Sequence, residues 1–146
     1  MSTQLAAEIL SRPADSRRKL LFWGALLVGA HFIAVLWHLD LLFAVQPSFP
    51  RIAGLMLVLG NLLPIVGVVG FAKGANRFAA TLIVIPLGVA LVIGGYSHFL
   101  SPGSDNVLRM PSGGLTLPFQ ISALLLALLE VFGCLVGVTM LSRRYS

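Results

Sequence analysis

Polar residues are confined to the joints of this chain. Apolar positions run almost unbroken from Leu20 to Ala44, from Ile52 to Ala72, from Phe78 to His98 and from Leu117 to Leu141. None of these runs has the charged face that a helix on a water-soluble core presents to solvent. At 1.5 Å per residue, each is long enough to cross roughly 30 Å of hydrocarbon. The pattern predicts an all-α integral membrane protein of four transmembrane helices. Short connections make an up-down-up-down bundle the expected arrangement. The first run is too long for the core of a signal peptide and no small-residue cleavage site follows it, so none is expected to be removed.

The joints differ in character. "KGANR" at 73–77 is a tight turn that ties the second and third spans into a hairpin, and "VQPSFPR" at 45–51 is also short. The connection after the third span is long, three of its residues being proline and three glycine: "LSPGSDNVLRMPSGGLTLP". We expect a sizeable loop over 99–116, the length at which loops are usually functional. Before the first span, "STQLAAEIL" reads as a short, weakly amphipathic helix and "SRPADS" as its stop. Residues 1–19 are thus set apart from a four-helix domain over 20–146. No internal repeat or low-complexity tract is present.

Composition supports the membrane reading. Hydrophobic residues make up 58% of the 146 positions and charged residues only 10%, against about 25% charged in ordinary soluble domains. The net charge of +5 matters through its placement. Arg12, Arg17, Arg18, Lys19, Lys73, Arg77, Arg143 and Arg144 fall on one side if the termini share it, leaving Arg51 and Arg109 on the other. By the positive-inside rule both termini are expected in the cytoplasm, with the 99–116 loop outside. These charges flank spans and have no basic domain behind them, which argues against nucleic-acid binding. A single cysteine, Cys134, excludes an internal disulfide and a CxxC redox pair.

Helix contact in lipid favours small residues. Gly60, Pro64, Gly67 and Gly74, then Ala90 and Gly94, then the GxxxG pair Gly133 and Gly137, are candidate seams within the bundle or between copies. Pro64 and Pro86 fall near the middle of their spans, where a kink is expected.

Depth singles out a few polar residues. His31, Asn61 and Glu130 sit near the centres of three different spans. A lone carboxylate there costs at least about 2.5 kcal/mol, so Glu130 is expected to face the interior, protonated or paired. His31 is its natural partner. Such a group serves either as a proton or ligand site at mid-membrane or as a clamp that fixes helix register. Higher up, His38 lies two turns beyond His31, followed by Asp40, with Tyr96 and His98 at the end of the third span. Two imidazoles from two helices suggest bis-histidine haem b ligation; His38, Asp40 and His98 together suggest a metal site. Read singly, they are interfacial residues, and Trp37 beside His38 fits an aromatic belt.

Motifs for zinc proteases, serine hydrolases, phosphate-binding loops and dinucleotide folds are absent, so an enzyme is not the leading expectation. The layout of four short spans with few charges resembles several groups of small bacterial membrane proteins, the DoxX-like group among them. That resemblance is one of architecture only and carries no functional residue across; a bacterial cytoplasmic (inner) membrane is the expected setting. The leading expectation is an accessory or structural subunit, bound to other membrane subunits or to copies of itself. The alternatives are a ligand-binding or transport protein using His31, Asn61 and Glu130, and a haem- or metal-binding redox protein using His38, Asp40 and His98.

Overall fold

A computed structural model describes residues 3–49, 51–102, 106–110 and 112–143, with the side chains of 3–14, Ile52 and Met56 left out. Its described residues are helical throughout the expected spans: α1, Thr3–Val45; α2, Arg51–Ala72; α3, Asn76–Gly95; and α4, Thr116–Ser142. A five-residue π-helical turn, Tyr96–Leu100, extends α3. Four segments are long and apolar enough to cross a membrane: Asp15–Val45, Ala53–Ala72, Asn76–Leu100 and Thr116–Ser142. The outward surface is correspondingly greasy: Ile33, Val66, Val92 and Leu117 are all well exposed, as side chains that face lipid would be.

One boundary differs from expectation. "SRPADS" does not end a helix; α1 runs through it without a break into the first span. A proline removes one backbone bond and can be absorbed as a kink, and the polar residues around it are not strong helix breakers. The amphipathic surface helix expected within 1–19 rests on side chains outside the described ones. So do parts of the long loop, at 103–105 and 111, and the charge of Arg144. The described part of that loop is shorter than 99–116, because the π-turn claims 99 and 100 and α4 begins at Thr116.

The helices form a closed ring in which α1 packs on α2, α2 on α3, α3 on α4 and α4 on α1; the α1–α2 seam is the least extensive. Small residues set the two tightest seams. A Cβ on Gly67 would stand 2.6 Å from the Ala79 carbonyl oxygen of α3. On Gly133 it would meet Leu87 Cδ1 at 2.5 Å, and on Gly137 it would meet Val84 Cγ2 at 2.6 Å. The GxxxG pair therefore packs α4 onto α3 inside the bundle. Gly60 faces open space, Gly94 only approaches His98, one turn along the same helix, at 3.8 Å, and Gly74 lies in the α2–α3 turn; these three are not seams. Gly74 has φ +94°, a left-handed value that ends α2 and that other residues adopt at a cost. Pro64 and Pro86 are both accommodated inside continuous helices.

Two apolar clusters fill opposite ends of the ring. One joins Val28, Phe71, Ala79, Ala80, Ile83, Leu87 and Met140; the other joins Leu41, Leu42, Val107, Phe119 and Ala123. At the first end Arg17 Nη2 donates to the carbonyls of Phe71, at 2.6 Å, and Ala72, at 3.3 Å, with its guanidinium 5.4 Å above the Phe71 ring. The last carbonyls of a helix lack intrahelical donors, so Arg17 closes the end of α2 from α1.

Gly67→Ala should lower stability by about 1–3 kcal/mol, because its methyl group collides with the Ala79 backbone carbonyl, which cannot move aside, as well as with the Ile83 side chain. Gly60→Ala should be neutral or stabilising, by up to about 1 kcal/mol from helix propensity. Thermal unfolding of both variants in mild detergent measures the difference.

Candidate functional site

The apolar run of α1 turns three of its side chains toward the ring interior at a spacing of three to four residues: His31, Val35 and His38 are all buried. The matching stripe on α4 is Ser122, Leu126 and Glu130, each four residues from the last. These faces lie against each other, and the polar members pair off in two tiers.

In the deeper tier, His31 Nε2 lies 3.2 Å from Glu130 Oε1, and the two residues are only 1% and 6% exposed. Glu130 lies roughly 20 Å along α4 from its first residue, far from either end. One proton sits between the groups, carried on the imidazole or on the carboxyl. Either arrangement satisfies both partners, whereas neither group alone could be satisfied in hydrocarbon. Above and below are apolar side chains: Ala34, Val35 and Leu126 on one side, and Val28, Leu87 and the partly buried Cys134 on the other. Cys134 Sγ is 3.8 Å from the Val84 carbonyl oxygen of α3, a long contact that fits a packing role.

Asn61 does not join this pair. Its amide donates 2.7 Å to the Leu57 carbonyl of its own helix. α2 does not border the α1–α4 seam, and equal depth on a different face brings no contact.

In the outer tier, Ser122 Oγ lies 2.8 Å from the Phe119 carbonyl oxygen and 2.8 Å from His38 Nδ1. A hydroxyl has one proton and a carbonyl can only accept. Ser122 therefore donates to Phe119, and His38 donates its Nδ1–H to Ser122. This leaves Nε2 of His38, a residue 6% exposed, with a bare lone pair and no hydrogen-bond partner among the described residues. The His98 ring packs edge-on against His38, with centroids 4.7 Å apart and planes at 76°. The Phe119 ring lies 4.7 Å from His38 and 5.9 Å from His98. The π-turn places His98 there: the Ser101 amide reaches back five residues to the Tyr96 carbonyl at 2.7 Å.

A loop seals this tier. The Val107 amide donates 2.9 Å to the His98 carbonyl, and Gln120 Nε2 donates 2.7 Å to the Val107 carbonyl. The Asn106 side chain donates to the Ser101 carbonyl at 2.6 Å and accepts from the Leu108 amide at 2.9 Å. Asn106 and Val107 are buried. Sequence reasoning missed Ser122, Asn106 and Gln120. For Ser122 a signal existed, since it shares the four-residue spacing of Leu126 and Glu130. For the two loop side chains there was none.

The donor set does not fit the metal or haem sites considered from sequence. Asp40 is exposed, two residues past His38 and so on another face of α1. Among the described residues no three His, Cys, Asp or Glu side chains converge as metal ligands, while zinc sites use three or four protein ligands. With metal–nitrogen bonds of about 2.0 Å, imidazoles on opposite faces of one iron hold their ring centres roughly 6 Å apart, with the porphyrin between them. His38 and His98 touch edge to face and leave no such slot.

No protein-family model matches the chain, and comparisons with curated proteins and with solved structures give no match. The site therefore stands on its own geometry.

Replacing either His31 or Glu130 by Leu should cost about 3–5 kcal/mol, by leaving a buried polar partner unpaired. The double replacement should cost less than the sum of the two, with a coupling energy of about 1 kcal/mol or more. Asn61→Leu should shift stability by less than about 0.5 kcal/mol. A double-mutant cycle followed by unfolding in detergent checks all three.

Proposed function

We propose that this chain is a multi-pass membrane protein whose interior His31–Glu130 pair is a proton-responsive site. One observation carries the reading: the two ionisable groups buried deep in the spans are hydrogen-bonded to each other across the α1–α4 seam. Intramembrane ionisable groups are functional candidates by default. The packing supports a proton rather than a larger ligand. Two cavities lie away from the pair, one lined by Leu39 and Arg51 and the other by Trp23 and Phe132. A site packed this closely takes up a proton without opening, and it would have to open for anything larger.

The surroundings suggest a direction of access. The end bearing Phe71, Ala79, Ile83, Leu87 and Met140 is a fully buried apolar plug. The other end is also packed, with Phe119 and Ala123 buried there, but it holds the polar side chains His38, Ser122 and His98 within that packing. We propose that protons reach the pair from the histidine end, and that the protein senses rather than conducts. With the helices alternating in direction and both termini cytoplasmic, as the flanking basic residues favour, the histidine end faces outward across a bacterial-type inner membrane.

The described residues hold no extramembrane domain that could relay such a signal. We therefore place the protein as a small subunit that acts through contact with other membrane proteins or with copies of itself. Stoichiometric companions, or a defined oligomer, should remain after extraction in mild detergent.

Difference infrared spectroscopy of the reconstituted protein between pH 5 and pH 8 tests the central claim. A carboxyl band that grows as pH falls, vanishes in Glu130→Gln and shifts in His31→Ala is the expected result. A Glu130 band unchanged across that range would reduce the pair to a structural clamp.

A further inference from the structure

A cavity of about 520 Å³ lies between the end of α1 and the start of α2. Its lining is Leu39, Phe43, Pro47, Gly54, Leu55 and Val58, with one charged residue, Arg51. Gly54 is what lets the floor form. A Cβ there would stand 2.8 Å from Phe43 Cζ and 3.3 Å from Leu39 Cδ1, so the bare backbone admits both side chains against α2.

Arg51 is the first residue of α2 and is exposed. The ion pairs among the described residues are Lys19–Asp15 and His31–Glu130, so no described carboxylate neutralises its guanidinium. Asp40, on the neighbouring turn of α1, is not within ion-pair distance. The second cavity, lined by Trp23, Leu27, Phe132, Leu135, Val136 and Thr139, has no charge at all. Only the first therefore combines an apolar trough with a cation at its mouth, where a span begins.

That combination selects its occupant. We propose that the α1–α2 groove binds one anionic phospholipid, its phosphate held by Arg51 and an acyl chain laid along Leu39, Phe43, Leu55 and Val58. Guanidinium groups suit phosphate through a planar array of donors, and basic pockets between spans are a recurrent form of headgroup recognition. A lipid here completes the least extensive seam of the ring, so it should stabilise the bundle as well as decorate it. The proposal is independent of the proton site, with which it shares no residue.

Native mass spectrometry of the full chain tests it, with phosphatidylglycerol and phosphatidylcholine of identical acyl chains offered at equal concentration. Wild type should retain the anionic lipid at least five-fold better, and that lipid should raise its thermal midpoint. Arg51→Gln should lose both effects, while Arg109→Gln should keep both. Equal retention of the two lipids by wild type would overturn the assignment, as would a preference that survives in Arg51→Gln or disappears equally in Arg109→Gln. Displacement by equimolar oleate would assign the groove to a free fatty acid, and a dimer that excludes lipid would assign it to a second copy. Either result also overturns the proposal.

Discussion

Hydrocarbon offers no hydrogen bonds, so every polar group inside a span must find its partner within the protein. The pairing of His31 with Glu130 is that constraint at its strictest. Two residues far apart in sequence, each unable to exist alone at that depth, are satisfied by one contact. The contact fixes which face of α1 meets which face of α4. Once that register is set, Val35 meets Leu126 one turn away and His38 meets Ser122 a further turn along. The hydrophobic effect gives little drive between helices in lipid. A specific polar pair can therefore decide an arrangement that apolar packing alone would leave degenerate.

Small residues do complementary work on the other side of the ring. Gly67, Gly133 and Gly137 allow α3 to be approached from both flanks, and dispersion grows with that approach. The bundle is thus held by two unlike devices. Close backbone contact ties α2, α3 and α4, while polar complementarity ties α4 to α1. The α1–α2 seam has Arg17 and the close approach at Gly54 but is the least extensive, and that is where the groove beside Arg51 lies.

The fold was largely legible in the sequence, because length and hydropathy suffice to place a span. The His31–Glu130 contact was legible for a related reason. Depth can be counted from the ends of a run, and cost leaves few partners for a carboxylate at that depth. Depth says nothing about azimuth, however, and the expectations that failed did so there. Asn61 shares the level of the pair but bonds to Leu57 on its own helix. Asp40 is near His38 in sequence yet on a different face. The π-turn was invisible in composition, although it sets where His98 points. The helix through Pro13 contradicted a turn signal because proline weakens a helix without forbidding it.

Arg17 lends the orientation of this chain an unexpected safeguard. A basic residue beside a first span is ordinarily counted as a vote on which way the chain threads. Here the same guanidinium also terminates a helix that begins more than thirty residues later. That bond can form only when the far end of α2 emerges beside the segment preceding the first span. A chain threaded differently at α2 would separate this guanidinium from both carbonyls and leave the Phe71 carbonyl with only the Gly74 amide. One side chain thus ties the segment before the first long apolar run to the end of the second helix in the folded chain.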